Sequence, residues 1–218
     1  MRTAVIVGST GLVGSYLVRY LLASPIYRQV FALTRQGLQI HDPKLVQIKV
    51  DWSKLAEALT AVQAEDVFCC LGTTIDKAGS KKNFYQVDFQ YPLDLARVMK
   101  ARGALRYFLI SALGADPRAR VFYNRVKGEV EGAITGVGFQ AVHIFRPSLL
   151  LGPRNERRRA EDIAKFFTTR LGFLIPAGFK AVHASQVAAA MVYYASAGLS
   201  GVSIHSSAEI RKFGALSN

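Results

Sequence analysis

Residues 4–22 read AVIVGSTGLVGSYLVRYLL. An apolar run enters a stretch holding Gly8, Gly11 and Gly14, and a helical pattern leaves it. The spacing G-x-x-G-x-x-G predicts a strand, a tight turn and a helix in immediate succession. Glycine lets the main chain turn sharply and lets a pyrophosphate approach it closely. A helix opening near Gly11 turns unpaired N–H groups and the positive end of its dipole toward an anion. Ser9 and Thr10 add hydroxyl donors. The purely structural alternative is a turn in which Gly14 only allows close helix–strand packing, with no ligand.

The alternation continues along the chain. Apolar runs at residues 3–7, 30–34, 45–50, 67–71, 105–110 and 140–145 predict strands. Helical patterns cover residues 11–23, 54–63, 83–101 and 121–134. Such alternation means βαβ units, and so an α/β fold of Rossmann type: a doubly wound parallel sheet with helices on both faces. Strands apolar on both faces fit burial from both sides. Beyond Arg146, residues 160–170 and 185–195 look helical, LGFLIPAGF at 171–179 reads as loop and short strand, and residues 201–205 form a last strand. Ser206 and Glu209 have capping-box spacing for a short final helix. We expect one domain over residues 1–218, with residues from about 149 onward supplying a small substrate flap and closing elements.

The chain has 218 residues, half of them hydrophobic, enough to bury a sizeable core. No apolar run approaches the ~20 residues that span a bilayer. The first apolar run breaks at Gly8 instead of forming a secretory pattern, and the expected location is the cytosol. Cys69 and Cys70 are adjacent in an apolar segment, so as strand residues they point to opposite faces and read as reduced, buried thiols rather than metal ligands. The formal charge is +13. Residues 97–127 hold eight of the basic residues against one acid, Asp116, whereas PRNERRRAED at 153–162 sets four arginines against three acids. A solvated basic surface explains this charge, and nucleic acid is not favoured because no zinc finger, RRM signature or basic tail accompanies it.

The end of the second strand bears on the nucleotide. An NAD site usually places an acid there for the ribose hydroxyls, and a 2′-phosphate calls for a cation. Here the sequence is ALTRQG, with Thr34 and Arg35 and no acid. The planar guanidinium donates bidentately to phosphate, so the expected cofactor is NADP(H).

Ser111 follows the fifth predicted strand, at the sheet edge where such folds bind ligands. Tyr123 and Lys127 are four apart on the next helix and share a face. An ammonium near a phenol favours the phenolate, and a tyrosine so placed can exchange a proton with a carbonyl or alcohol oxygen. Ser111 would hydrogen-bond the same oxygen. Among nine tyrosines the pair alone recurs by chance, and it is the order of glycine loop, serine and Y-x-x-x-K that carries meaning.

This order resembles the short-chain dehydrogenase/reductase superfamily, and more narrowly its atypical branch related to the HIV Tat-interacting oxidoreductase. The motifs are GSTGLVG, FCCLGTT followed by KAG, Val87–Asp88, SALGAD, Y-N-R-V-KGEVE and FRPSLLLG, spread over residues 1–152. The resemblance implies a Rossmann fold binding NADP(H). It assigns the pyrophosphate to Gly8, Ser9, Thr10, Gly11, Leu12 and Val13, and the 2′-phosphate to Arg35 beside Thr34. Asp51 would face the adenine. Leu71, Gly72, Thr73 and Thr74 would line the ribose and nicotinamide side, with Pro147 and Ser148 near the nicotinamide. Ser111, Tyr123 and Lys127 would be the catalytic set, Lys127 also bonding the ribose. Superfamily members often add an Asn, for which no equivalent is placed here.

The implied activity is an NADP(H)-dependent oxidoreductase acting on a carbonyl/alcohol pair of a small molecule. Arg118 and Arg120, between Ser111 and Tyr123, suggest an anionic substrate. Two other readings stay open: an NADP(H)-dependent regulator that contacts a protein partner, and an epimerase-like isomerase using the nicotinamide transiently. His143 reads as core and Trp52 as a residue beside the adenine or in the core. His183 is a candidate for the cleft.

Overall fold

In the computed structural model, described over residues 1–152 and 180–214, seven strands form one parallel sheet. They are β1 (Arg2–Val7), β2 (Tyr27–Thr34), β3 (Leu45–Lys49), β4 (Asp66–Cys69), β5 (Arg106–Ile110), β6 (Ala141–Arg146) and β9 (Gly201–Ser206). Their order is β3-β2-β1-β4-β5-β6-β9. β7 (Leu150–Leu151) and β8 (Val182–His183) pair as a separate ribbon. The helices are α1 (Leu12–Ala23), α2 (Leu55–Ala58), α3 (Ile75–Ala78), α4 (Lys81–Tyr85), α5 (Tyr91–Ala101), α6 (Phe122–Thr135), α7 (Ala184–Ala197) and α8 (Ser207–Ile210). The expected doubly wound sheet is therefore observed. The chain leaves β1 toward β2 on one side and returns to β4 on the other, which opens a crevice at the carboxyl ends of β1 and β4.

Strand alternation sorts the core into two layers. Ala4, Ile6, Phe68, Phe108 and Phe145 face α1 and α7. Val5, Val7, Val67, Cys69, Leu109 and Ile144 face α5 and α6 through Leu95, Met99, Val130 and Ile134. Cys69 is buried in the second layer and Cys70 packs on the first, on opposite faces as the alternation requires. Each fully buried large apolar side chain is worth roughly 1.5–3 kcal/mol.

Some local elements differ from the periodicity. The helix expected over 54–63 is a 3-10 turn at Trp52–Lys54 followed by the short α2. Leu55, Leu59 and Val62 are buried as the pattern asks, and the Thr60 hydroxyl bonds the carbonyls of Ala56 and Glu57 at 3.3 and 2.7 Å just past the end of α2. The helix expected over 83–101 is α4 and α5 joined by a π turn at Gln86–Gln90. At α8, the Ser206 hydroxyl accepts the Glu209 N–H at 3.3 Å, but the Glu209 carboxylate takes the hydroxyl of Tyr194 and Nδ1 of His205 instead of completing the box. The described part of the expected tail is built into the main fold: α7 packs on α1, and β9 extends the sheet beside β6. The helix and loop expected over 160–179 lie outside the described residues.

His143 is fully buried, stacks on Phe108 and meets His205 Nε2 through Nδ1 at 3.1 Å. Burial, then the neighbouring His205 and Arg106, push its pKa down to about 4. The unfolded chain takes up a proton near pH 6.5 that the folded protein refuses, so this stability is complete above about 6.5 and is lost as pH falls toward 4. The thermal midpoint should fall between pH 7 and pH 4.5 and fall less in His143→Phe; equal falls by calorimetry would count against it. At the other end of the core, a Cβ on Gly14 would lie 2.1 Å from the Gly8 carbonyl oxygen. Gly14→Ala should lose about 2 kcal/mol or more in denaturant unfolding, despite a gain of up to ~1 kcal/mol in helix propensity.

Candidate active site

The opening loop is built by two glycine contacts. Gly8 has φ +81°, and a Cβ there would lie 2.5 Å from the Cys70 carbonyl oxygen. Gly14 presses the first turn of α1 onto the Gly8 carbonyl, which also accepts the Gly11 N–H at 2.9 Å. Both contacts bring backbone to backbone, so no side chain fits. The N-terminus of α1 is thereby held at the β1/β4 crevice, and its N-cap, Gly11, has no side chain to cap its amides. Beside it, the buried Ser9 hydroxyl has no hydrogen-bond partner among the described residues. A cradle with uncapped amides and an orphaned hydroxyl suits the diphosphate of a nicotinamide dinucleotide.

Two cavities run along this edge. The smaller, of about 90 Å³, is lined by Gly8, Ser9, Thr10, Thr34, Arg35 and Trp52, among others. The larger, of about 610 Å³, is walled on the loop side by Gly11, Leu12 and Val13. Gly72, Thr73 and Thr74 follow β4 into its wall, and Ser111, Tyr123, Lys127 and Ser148 complete it. Leu71 lines both. The Arg35 side chain makes no ion pair or hydrogen bond among the described residues.

Two of the expected residues line neither cavity. Asp51 is outside both linings: its exposed carboxylate accepts the Ser53 N–H at 3.0 Å and hydroxyl at 2.8 Å, and these bonds hold its pKa down. Its neighbour Trp52 lines the smaller cavity and stacks on Tyr91 at 4.2 Å. Pro147 is also outside the linings, its carbonyl accepting the Leu113 N–H at 3.0 Å, which ties the ends of β5 and β6 together. Ser148 reaches the cavity while its hydroxyl donates to the Lys180 carbonyl at 2.6 Å.

Tyr123 and Lys127 sit one turn apart at the start of α6 and line the same cavity. Lys127 is 4% exposed, and its Nζ lies 2.7 Å from Asp88 Oδ1. Desolvation alone would lower its pKa, but the charges of Asp88 and Tyr123 outweigh it and the net shift is upward. Asp88 comes from the π turn, whose extra residue re-aims the side chain, and its other oxygen accepts the Thr73 N–H at 2.9 Å. Ser111 donates its hydroxyl to Glu131, which also holds Arg146 through two guanidinium nitrogens. A carboxylate so paired is the acceptor, so the Ser111 oxygen offers lone pairs to the cavity.

Asp88 and Glu131 are the residues that sequence reasoning missed. Asp88 stood in the quoted Val87–Asp88 pair without a role. Glu131 continues the spacing of four from Tyr123 through Lys127 at the end of KGEVE. The glycine in that motif is also explained: a Cβ on Gly128 would lie 2.2 Å from Pro117 N, so the loop after β5 lies directly on α6. Arg118 and Arg120 in that loop line neither cavity; the Arg118 N–H bonds the Asp116 carboxylate at 2.8 Å. His183 caps α7 through Ser185 and Gln186 and lines neither cavity.

Comparison with known proteins agrees with the fold. The model of the NAD-dependent epimerase/dehydratase family matches residues 4–127. The protein "fmp52, mitochondrial" of Emericella nidulans is 35% identical over 179 residues, 79% of this chain and 77% of its own length. HTATIP2 of Rattus norvegicus is 36% identical over 170 residues, 76% of this chain and 70% of its own. Among solved structures, MoeE5 in complex with UDP-glucose and NAD superposes with a TM-score of 0.71 at 19% identity, covering 95% of this chain and 79% of its own. A short-chain dehydrogenase/reductase family oxidoreductase from Burkholderia thailandensis gives 0.69 at 18%, covering 93% and 89%. The expected cytosolic location is corrected by the fungal relatives, which are named as mitochondrial proteins. Composition and apolar run lengths do not distinguish one aqueous compartment from another.

Proposed function

The chain belongs to the NAD-dependent epimerase/dehydratase family, and from that membership we propose an NADP(H)-dependent oxidoreductase acting on a carbonyl/alcohol pair. The observation that carries this reading is one cavity lined by the α1 N-terminus, Tyr123 and Lys127 together. When bound, the nicotinamide supplies or accepts a hydride. Tyr123 exchanges the proton at the substrate oxygen, Lys127 holds positive charge beside it, and Ser111 accepts a hydrogen bond from the reacting groups. Arg35, without a partner among the described residues and in the wall of the smaller cavity, supports the phosphorylated cofactor.

The substrate is a small molecule. Lys77, in the larger cavity's wall, replaces Arg118 and Arg120 as the cation available to an anionic group on it. The names of the fungal relatives support a mitochondrial setting. The family's name favours one second reading, an isomerase that returns its hydride; it would consume no net cofactor during turnover.

Wild-type protein should bind NADPH more tightly than NADH. Arg35→Ala should weaken NADPH by about 10- to 100-fold, the worth of a charged hydrogen bond, and leave NADH unchanged. Tighter NADH binding by the wild type in a fluorescence titration would refute the cofactor assignment. Tyr123→Phe should retain NADPH affinity and lose at least ~100-fold in turnover; near-normal turnover on a verified substrate would remove the tyrosine from the mechanism.

A further inference from the structure

We propose that Asp88 is the positioning residue of this site: its buried carboxylate keeps Lys127 charged and aimed at the cavity, and pins the loop after β4 in the same grip. The inference rests on the reading of Lys127 as the lysine of the catalytic set.

Asp88 is 1% exposed and Lys127 4%. A lysine buried without a countercharge gives up its proton, because the ammonium is what loses hydration. Three titratable groups act on Lys127: Asp88 from the π turn, Tyr123 from its own helix, and Cys69 from β4. Burial pushes the Cys69 thiol up, which keeps it neutral. Asp88 is thus the carboxylate among them, at 2.7 Å.

The same carboxylate reaches the cavity wall. Its Oδ2 accepts the Thr73 N–H at 2.9 Å. A Cβ on Gly72 would lie 3.6 Å from Asp88 Oδ1 and 3.8 Å from Lys127 Nζ, so the ion pair lies beside Gly72 in the same wall. Gly72 and Thr73 both line the larger cavity. One side chain therefore links two walls of the site that come from different elements, the β4 loop and α6. A buried ion pair adds little net stability, and its loss leaves an uncompensated charge. The arrangement makes sense as control over where Lys127 sits and what charge it carries. A π turn is the local device that permits it, since the extra residue breaks the regular helical register at Asp88.

The test is lysine ¹³Cε NMR on the full chain, with Lys127 assigned as the signal lost in Lys127→Arg. Asp88→Asn keeps an acceptor for Thr73 and removes the charge. Its Lys127 midpoint should fall by about 1–3 pH units relative to wild type, the usual effect of a close opposite charge, and its NADPH affinity should fall with it. A midpoint within about half a unit of wild type would overturn the proposal. If the variant does not fold, the wild type decides: Lys127 must remain an ammonium at every pH up to its ordinary value of 10.5, and deprotonation below that overturns the proposal equally. Failure of the oxidoreductase reading would appear separately, as normal turnover in Tyr123→Phe while the Lys127 midpoint still falls in Asp88→Asn.

Discussion

The contact of Gly14 on the carbonyl of Gly8 is the constraint from which the site follows. At 2.1 Å from a hypothetical Cβ to that oxygen, only hydrogen is tolerated at position 14. The contact draws α1 down onto the end of β1, and Gly8, itself against Cys70, draws β4 alongside. Moving α1 outward by one methyl group would pull its amides away from the crevice and open the packing of Leu17 and Leu21 on the sheet. The same contact serves packing and leaves the α1 N-terminus at the crevice, so the structural and nucleotide readings of the glycine spacing are compatible. The uncapped α1 and the orphaned Ser9 hydroxyl favour a ligand in addition to the turn.

The second organising feature is α6. It presents Tyr123, Lys127 and Glu131 at intervals of four, and two of the three are tied to a partner on another element. Lys127 meets Asp88, while Glu131 meets Ser111 and Arg146. A chain with a formal charge of +13 therefore places two carboxylates directly behind its candidate chemical groups. The excess positive charge lies elsewhere, and Arg118 and Arg120 illustrate this by lying on the loop outside both cavities.

Much of this was legible because it is local. Strands, the glycine turn and the pair Tyr123–Lys127 depend on residues a few positions apart, and their periodicity survives folding. Asp88 was not legible for a specific reason. It lies in a stretch that reads as one regular helix, and the π turn that redirects it leaves no trace in hydrophobic spacing. Glu131 was visible as a spacing but not as a partner of Ser111, because that pairing joins β5 to α6 across 20 positions. Asp51 is the converse case: a motif position points it at a ligand, and in the fold its carboxylate takes two donors from Ser53, two positions on. His205 did the same to Glu209, taking the carboxylate that a capping box would have used.

The electrostatics of the two cavities argue for a ligand that spans them. Within the larger cavity the charge of Lys127 is balanced by Asp88. That leaves Lys77 in its wall and Arg35 in the wall of the smaller cavity as cations without an ion-pair partner among the described residues. The N-terminus of α1 lines the larger cavity through Gly11, Leu12 and Val13, and Leu71 lines both cavities. Cations in the walls of both cavities and a helix N-terminus in the larger one, with neutralised charge where a proton would be exchanged, suit an extended molecule carrying several phosphates better than a small monoanion. Such an arrangement would also separate tasks: affinity would come from the unpaired cations and the helix end, and chemistry from groups whose own charges are already balanced.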